Sequence, residues 1–329
     1  MTKSPTPTRT LTGTIYVSRL LTDGAMNHLH ALGAPLRIGS EAPPDRAELE
    51  AGIAGASAAV ITLTERIDAD LIAAAGPQLK VIANVAVGFD NIDLSAAEAA
   101  GVTVTNTPGV LDRASADHTF ALILDATRRI SEGDRLIRGR QPWIWGPRML
   151  VGLDISAGAT LGILGYGRIG QAVARRAHAF DMTVIATSRS RTPGSTEDGV
   201  TFVDTATLLA ESDVVTVHTP LTAQTRHLID AAALEAMKPT AYLINTARGG
   251  VVDEAALIAA LHDGQIRGAG LDVYEGEPRV NPALLDAPGL VLTPHTASAG
   301  QATRDTMGIL AVDNAAAVLA GEPPLTPVR

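Results

Sequence analysis

Three polar residues in the last third of the chain have the types and spacing to bind an oxoanion and hand it a proton. Arg248 lies in Asn245-Thr246-Ala247-Arg248-Gly249-Gly250, directly after an apolar run, and its forked guanidinium suits a carboxylate or a 2-oxo acid. Glu277 lies in Leu271-Asp272-Val273-Tyr274-Glu275-Gly276-Glu277-Pro278, and His295 in Leu292-Thr293-Pro294-His295-Thr296-Ala297-Ser298. Histidine titrates near neutrality, and a carboxylate against one ring nitrogen fixes its tautomer and favours its cation. Together the three supply anion binding, orientation and proton donation. Taken singly, each has a plainer role: Arg248 as a helix cap, Glu277 as a solvated loop acid, His295 as a hydrogen-bonded loop histidine.

A second chemical signal is the loop Gly165-Tyr166-Gly167-Arg168-Ile169-Gly170, which follows the apolar run Thr160–Leu164 and opens a helical stretch, Gln171–Phe180. In a strand–turn–helix setting this spacing binds a dinucleotide. The first glycine permits the tight turn, the second admits the pyrophosphate and the third lets helix and strand pack closely. The helix N-terminus then offers free N–H groups to the phosphates. An NAD site ends the next strand with an acid about 20 residues on. Here Met182–Thr187 is followed by Ser188-Arg189-Ser190-Arg191, with no carboxylate to repel a 2′-phosphate and two guanidiniums to bind one. The pattern favours NADP(H), with NAD(H) as the alternative. A solvated polar loop is the plainer reading of the same residues.

The elements that must position these groups alternate short β-branched runs with Ala- and Leu-rich segments, the pattern of βα units and parallel sheets. In the first third, strands are predicted at Thr14–Ser18, Ala58–Leu63, Lys80–Val85 and Val102–Thr105, and helices at Asp45–Ala54, Ala69–Ala75 and Ser95–Ala100. Asn106-Thr107-Pro108-Gly109 is a break, and a long helix over about Ala114–Ile130 follows it. Gly139–Asp154 is irregular and holds both tryptophans, Trp143 and Trp145. Later strands are expected at Val214–His218, Ala241–Asn245, Gly268–Val273 and Leu290–Thr293, and a last helix at about Gln301–Ala320 that returns to the first domain. The expected architecture is α/β with two Rossmann-like domains, a flavodoxin-like substrate domain and a doubly wound dinucleotide-binding domain, and a cleft between them. The substrate domain takes residues 14–107 and 297–329, the dinucleotide domain 108–296, and residues 1–13 form a partly disordered tail.

Bulk properties narrow the class. A length of 329 residues suits two domains, and a net charge of -9 argues against a nucleic-acid partner. Cysteine is absent, which excludes disulfides, thiol catalysis and thiolate metal sites. No metal is expected, because no HExxH or carboxylate–histidine spacing is present. His28, His30, His178, His227 and His262 are read as surface or structural histidines. With no signal core and no apolar span, the expectation is a cytoplasmic protein with no membrane partner.

At these segments the chain resembles the D-isomer-specific 2-hydroxyacid dehydrogenases, over about residues 14–322. The matching motifs run in order: the glycine loop; His218-Thr219-Pro220-Leu221-Thr222 with Thr225 and Leu228-Ile229; the Asn-Thr-Ala-Arg-Gly and Leu-Asp-Val-Tyr-Glu segments; and Pro-His before Ala297-Ser298-Ala299. Asn84–Asp93, Val104–Pro108 and Pro278–Leu285 are most similar to the glyoxylate/hydroxypyruvate reductase branch. Departures are small: Thr296 stands where Ile is commoner, and Gly276 separates Glu275 from Glu277.

The resemblance implies a reductase of small 2-oxo acids with Arg248, Glu277 and His295 catalytic, and the Ser188–Arg191 pattern makes NADPH its preferred cofactor. It implies that the backbone of Ala86, Val87 and Gly88 holds the substrate carboxylate. It assigns cofactor contacts to Gly165, Gly167, Arg168, Ile169, Gly170, Ser188, Arg189, Ser190, Arg191, His218, Thr219, Pro220, Thr225, Thr246, Ala247, Asp272, His295 and Ala297. It also implies a homodimer in which Trp145 lies in an arm that reaches the neighbouring site, with Trp143 beside it as the alternative. The side-chain pocket would be built around Leu63-Thr64-Glu65. Alternatives within the family are a 2-oxogluconate or other D-2-hydroxyacid dehydrogenase. A formate dehydrogenase is disfavoured by Glu277, and a phosphoglycerate dehydrogenase by the short stretch after His295. A dinucleotide-sensing corepressor is the alternative from a different class.

Overall fold

The structure, a computed structural model, describes residues 11–328 and divides into two compact units. One is built from residues up to Leu111 and from Ala299 onward, the other from Asp112–Ser298. The sequence reading sets these boundaries at 107/108 and 296/297. Residues 1–10 of the expected tail lie outside the described residues, but Leu11 is 8% exposed and belongs to the core.

The first unit runs β1 (Ile15–Val17), α1 (Asp23–Ala31), β2 (Leu36–Ile38), α2 (Arg46–Ile53), β3 (Ala58–Ile61), α3 (Ala69–Ala75), β4 (Val81–Asn84), α4 (Leu94–Ala99) and β5 (Thr103–Thr105). The second unit starts with α5 (Asp112–Arg128) and α6 (Ile130–Arg138). It continues with β6 (Thr160–Leu164), α7 (Arg168–Ala179), β7 (Thr183–Thr187), β8 (Thr196–Glu197), β9 (Val200–Phe202) and α8 (Thr205–Glu211). Then come β10 (Val214–Val217), α9 (Ala231–Glu235), β11 (Tyr242–Asn245), α10 (Glu254–His262), β12 (Gly268–Leu271), α11 (Pro282–Leu285) and β13 (Leu290–Leu292). The last helix, α12 (Gln301–Leu319), belongs to the first unit.

The first unit's sheet is parallel in the order β2-β1-β3-β4-β5, the flavodoxin-like arrangement. Ile15 of β1 pairs with Leu36 on one side and Ala58 on the other. Apolar clusters cover both faces, one including Ile53, Ile61 and Leu71, the other Leu29, Val81 and Val312 from α12. Strands buried on both faces become continuous apolar runs, which is why Ala58-Ala59-Val60-Ile61 carries no alternation. After α12 the chain returns to β5: Val328 N–H donates to the Val104 carbonyl, and Thr326 Oγ1 to the Asn106 carbonyl at 2.6 Å.

The second unit's sheet has the order β13-β12-β11-β10-β6-β7-β9-β8, parallel except for the antiparallel edge strand β8. The central order is that of the doubly wound dinucleotide fold, and strand order reverses between β6 and β10. Aspartates cap α3, α8, α9 and α10, each accepting the N–H three residues on, a contact worth about 1 kcal/mol apiece.

Not expected from the sequence are α1, β2, α6, β8, β9 and the four helices α8, α9, α10 and α11. β2 and β8 are short edge strands with partly or fully exposed residues, and α6 buries no residue. The helix expected from Gln171 begins at Arg168, inside the glycine loop. No helix among the described residues is long and apolar enough to cross a membrane.

Candidate active site

The chemistry-bearing residues of the second unit gather at the carboxyl ends of its strands. The turn after β6 holds Gly165 at φ +101°, where an added Cβ would lie 2.9 Å from the His218 carbonyl. A Cβ on Gly170 would lie 2.4 Å from the Gly165 carbonyl oxygen, so helix and turn touch backbone to backbone. Gly167 caps α7 with no side chain bonding the first-turn N–H groups, and a Cβ there would meet open space. The turn is fixed from β7: Gly165 N–H donates to Thr187 Oγ1 at 3.3 Å and Tyr166 N–H to the Thr187 carbonyl at 3.0 Å.

Across the point where strand order reverses, His218 and Thr219 follow β10. His218 Nε2 and Thr219 Oγ1 are buried without a hydrogen-bond partner among the described residues. Burial pushes the His218 ring down to about 4, so it is neutral and able to accept a hydrogen bond. An uncapped helix N-terminus beside two orphaned polar atoms fits a pyrophosphate-bearing dinucleotide. Arg168 and Ile169, in the first turn of α7, share that end. Thr225, expected at the cofactor, braces its own loop: its Oγ1 donates to the Pro220 carbonyl at 2.6 Å and accepts from Thr222 N–H at 2.8 Å.

The Ser188–Arg191 segment follows β7. Ser188 and Ser190 hydroxyls are 3.2 Å apart. Arg189 is exposed and has no polar partner among the described residues. Arg191 is engaged: it meets Glu197 of β8 through Nε at 2.9 Å and Nη2 at 3.1 Å, donates to Ser190 Oγ at 2.9 Å, and lies 6.0 Å from the Phe202 ring centroid. The sequence reading did not foresee Glu197, because a two-residue exposed strand carries no pattern.

Arg248 follows β11. Asn245 Nδ2 donates to the Arg248 carbonyl at 2.9 Å, and Arg248 Nη1 donates to the Ala247 carbonyl at 2.8 Å. Thr246 Oγ1 lies 3.0 Å from Thr119 Oγ1 on α5. Gly249 is required by space: a Cβ would sit 1.9 Å from the Tyr274 carbonyl carbon, in the segment after β12. That segment carries Glu277, whose Oε1 accepts Tyr274 N–H at 2.8 Å while Oε2 lies 2.7 Å from His295 Nδ1. The two side chains are 26% and 23% exposed, so the pair is formed yet open to a small molecule. His295 Nε2 has no hydrogen-bond partner among the described residues.

His295 holds φ +53°, a left-handed backbone that histidine adopts more readily than bulky residues but which still stores strain. Its surroundings fix it there. Asp272, 0% exposed, accepts Thr296 N–H and Ala297 N–H, each at 2.8 Å, and its own carbonyl accepts His295 N–H at 2.8 Å. Burial alone would raise the Asp272 carboxyl. Hydrogen bonds from His118, Thr293, Thr296 and Ala297 outweigh it and hold the group below its usual range. Tyr274 donates its hydroxyl to the Thr293 carbonyl at 2.8 Å, and burial, then the charges of Asp272 and Glu277, push its phenol up to about 12.

The sequence reading did not single out His118. On α5 it lies among buried Ser115, Thr119 and Leu122, at spacings that share one helix face. Polar residues on an otherwise apolar face were the available signal. His227, read as a surface histidine, bonds Glu275 Oε1 at 2.5 Å. Among the described residues no group of three or more His, Cys, Asp or Glu could hold a metal ion.

In the first unit, the Ala86–Gly88 turn follows β4. Side-chain amides hold its carbonyls: Asn106 Nδ2 donates to Val87 and Asn84 Nδ2 to Gly88, both at 2.8 Å. Glu65, 3% exposed, accepts Ser18 Oγ at 2.7 Å, Thr64 Oγ1 at 2.6 Å and Thr62 N–H at 2.5 Å, which fixes the loop after β3. Trp143 and Trp145 are 53% and 77% exposed.

Comparison with known proteins agrees with this geometry. Residues 120–297 match the D-isomer specific 2-hydroxyacid dehydrogenase, NAD binding domain. The chain is 47% identical over 290 residues to a glyoxylate reductase of Thermococcus litoralis, covering 86% of each. The TT0316 protein of Thermus thermophilus superposes with a TM-score of 0.90 at 44% identity, over 96% of this chain and all of that one. An NADPH-dependent glyoxylate/hydroxypyruvate reductase of Sinorhizobium meliloti, solved with NADP and malonate, superposes with a TM-score of 0.81 at 34% identity, over 96% of each chain.

Proposed function

The chain belongs to the D-isomer-specific 2-hydroxyacid dehydrogenases, NAD(P)-dependent oxidoreductases, and from that premise we propose that it reduces small 2-oxo acids, glyoxylate and hydroxypyruvate foremost, to D-2-hydroxy acids with NADPH. The observation that carries this reading is the 2.7 Å contact of Glu277 with His295 Nδ1, which leaves Nε2 for a substrate oxygen.

The dinucleotide is held by the Gly165–Gly170 turn and the polar atoms of His218 and Thr219; when bound, its dihydronicotinamide supplies the hydride. Arg248 binds the substrate carboxylate and polarises the carbonyl, stabilising charge that develops in the transition state. His295 gives its Nε2 proton to the carbonyl oxygen, a role worth about 10²–10⁴-fold when the donor is positioned. Glu277 orients the ring and stabilises its cation. In the first unit, the proposed carboxylate donors are the N–H groups of Val87 and Gly88, on a turn whose carbonyls are held by the Asn106 and Asn84 amides.

The preference for NADPH is supported by Ser188–Arg191 standing where an NAD site carries an acid. Arg189 is available to a 2′-phosphate, whereas Arg191 would exchange an exposed carboxylate, Glu197, for it. A homodimer is proposed from the apolar residues left exposed over 130–151.

Following absorbance loss of NADPH and NADH with glyoxylate, hydroxypyruvate, pyruvate and 2-oxogluconate tests the reading. Fast turnover with NADPH and the small acids is expected, and His295→Ala should collapse kcat while dinucleotide affinity is kept. A preference for NADH would remove the cofactor assignment but keep the enzyme class. No turnover with any pair, despite dinucleotide binding, would overturn the function and favour a sensor protein.

A further inference from the structure

We propose that His118 is a positioning residue for the proton donor, holding the His295 loop through Thr293 and Asp272. The inference rests on His295 being that donor. His118 lies on α5, its side chain 21% exposed, with Nε2 3.0 Å from Thr293 Oγ1 and 3.3 Å from Asp272 Oδ1.

The proton on this ring can be assigned from its neighbours. Thr293 spends its hydroxyl hydrogen on Asp272 Oδ1 at 2.6 Å, so toward His118 it can only accept. The Asp272 carboxylate also only accepts. Nε2 therefore carries a hydrogen, shared between the two oxygens, whether or not Nδ1 is protonated as well.

What this donor holds is specific. Thr293 directly follows β13, and its carbonyl takes the Tyr274 hydroxyl. Asp272 is the acceptor for the N–H groups of Thr296 and Ala297, on the far side of His295. The imidazole of His118 thus ties together both anchors that flank a residue kept at φ +53°. Strained backbone persists only where surroundings over-determine it, and His118 supplies one of those constraints. It is also the one side chain of α5 that bonds Asp272 among the described residues.

His118→Phe removes the donor at similar volume, and His118→Gln keeps an N–H donor. Hydrogen exchange by mass spectrometry over residues 290–298 gives a readout independent of turnover. His118→Phe should speed exchange there and lower kcat by about 10- to 100-fold, with KM for the 2-oxo acid changed much less. His118→Gln should restore most of both. The double variant His118→Phe with Thr293→Val should be no worse than the more damaged single variant, because both cut one network.

The idea is overturned if exchange over 290–298 is unchanged in His118→Phe, if it rises while kcat stays within about twofold, or if His118→Gln is as poor as His118→Phe. Multiplying defects in the double variant would also overturn it. Should His295→Ala keep full activity, the proton-donor assignment fails instead, and the exchange data still report whether His118 holds the loop. Far-UV circular dichroism and thermal melts separate either result from simple unfolding.

Discussion

At the scale of single residues, the site is a set of groups whose ionisation is governed by what surrounds them. His218 shows this without any substrate. Its ring is pushed down to about 4 by burial, so the fold favours the neutral form. Above the ordinary histidine value both folded and unfolded chains are neutral there, and the contribution to stability is complete. As pH falls below about 6.5, the unfolded chain takes up a proton that the fold refuses, and stability is lost steadily until about pH 4. His218→Gln removes this component. Its urea midpoint should therefore drop less than that of the parent between about pH 7 and about pH 5. Parallel slopes for the two proteins would show that His218 is not buried neutral.

At the scale of elements, two glycines that both follow a strand have opposite structural duties. A Cβ on Gly249 would lie 1.9 Å from backbone of the Tyr274 segment, so Gly249→Ala must push the Arg248 loop away from the strand end that carries Glu277. Loss of both thermal stability and turnover is expected. Gly167 faces open space, so Gly167→Ala should leave the melting temperature of the ligand-free protein nearly unchanged. It should instead raise the dinucleotide Kd, because the new methyl fills the path of the phosphates. Equal melting losses in the two variants would contradict this division.

The same scale shows why some of the molecule was legible in its sequence. Interior strands such as Val214–Val217 and Tyr242–Asn245 are buried on both faces, and that burial writes itself as an apolar run. Glu277 was legible because it follows β12, which is buried in the same way, and His295 because even the half-buried edge strand β13 reads as a short apolar run. What escaped were elements held by few contacts, such as β8, and partners set by tertiary packing alone. Glu197 against Arg191 is one such partner, and His118 against Asp272 is another. Neither pair has a sequence period, and their separations are fixed only when the sheet is assembled.

At the scale of the whole molecule, the exposed apolar residues of α6 and the stretch after it stand out. Ile130, Ile137, Trp143, Ile144, Trp145 and Val151 are each more than half exposed, the feature on which the proposed dimer rests. Replacing Trp143, Ile144 and Trp145 together with serine should convert a dimer into a monomer on a sizing column with light scattering. A parent protein that is already monomeric would remove the assignment of this arm to a homodimer.

Synthesis treats the two units differently. The first unit is completed by α12 and by the pairing of Val328 with Val104, whereas Asp112–Ser298 is continuous. As the chain is made, the second unit can close while the first still waits for its final helix on the ribosome. Thr326 bonds Asn106, and Asn106 bonds Val87, so the turn assigned to the substrate carboxylate gains this support only when Thr326 emerges. A nascent chain stalled just short of α12 would then hold its dinucleotide site in finished form and its first unit incomplete.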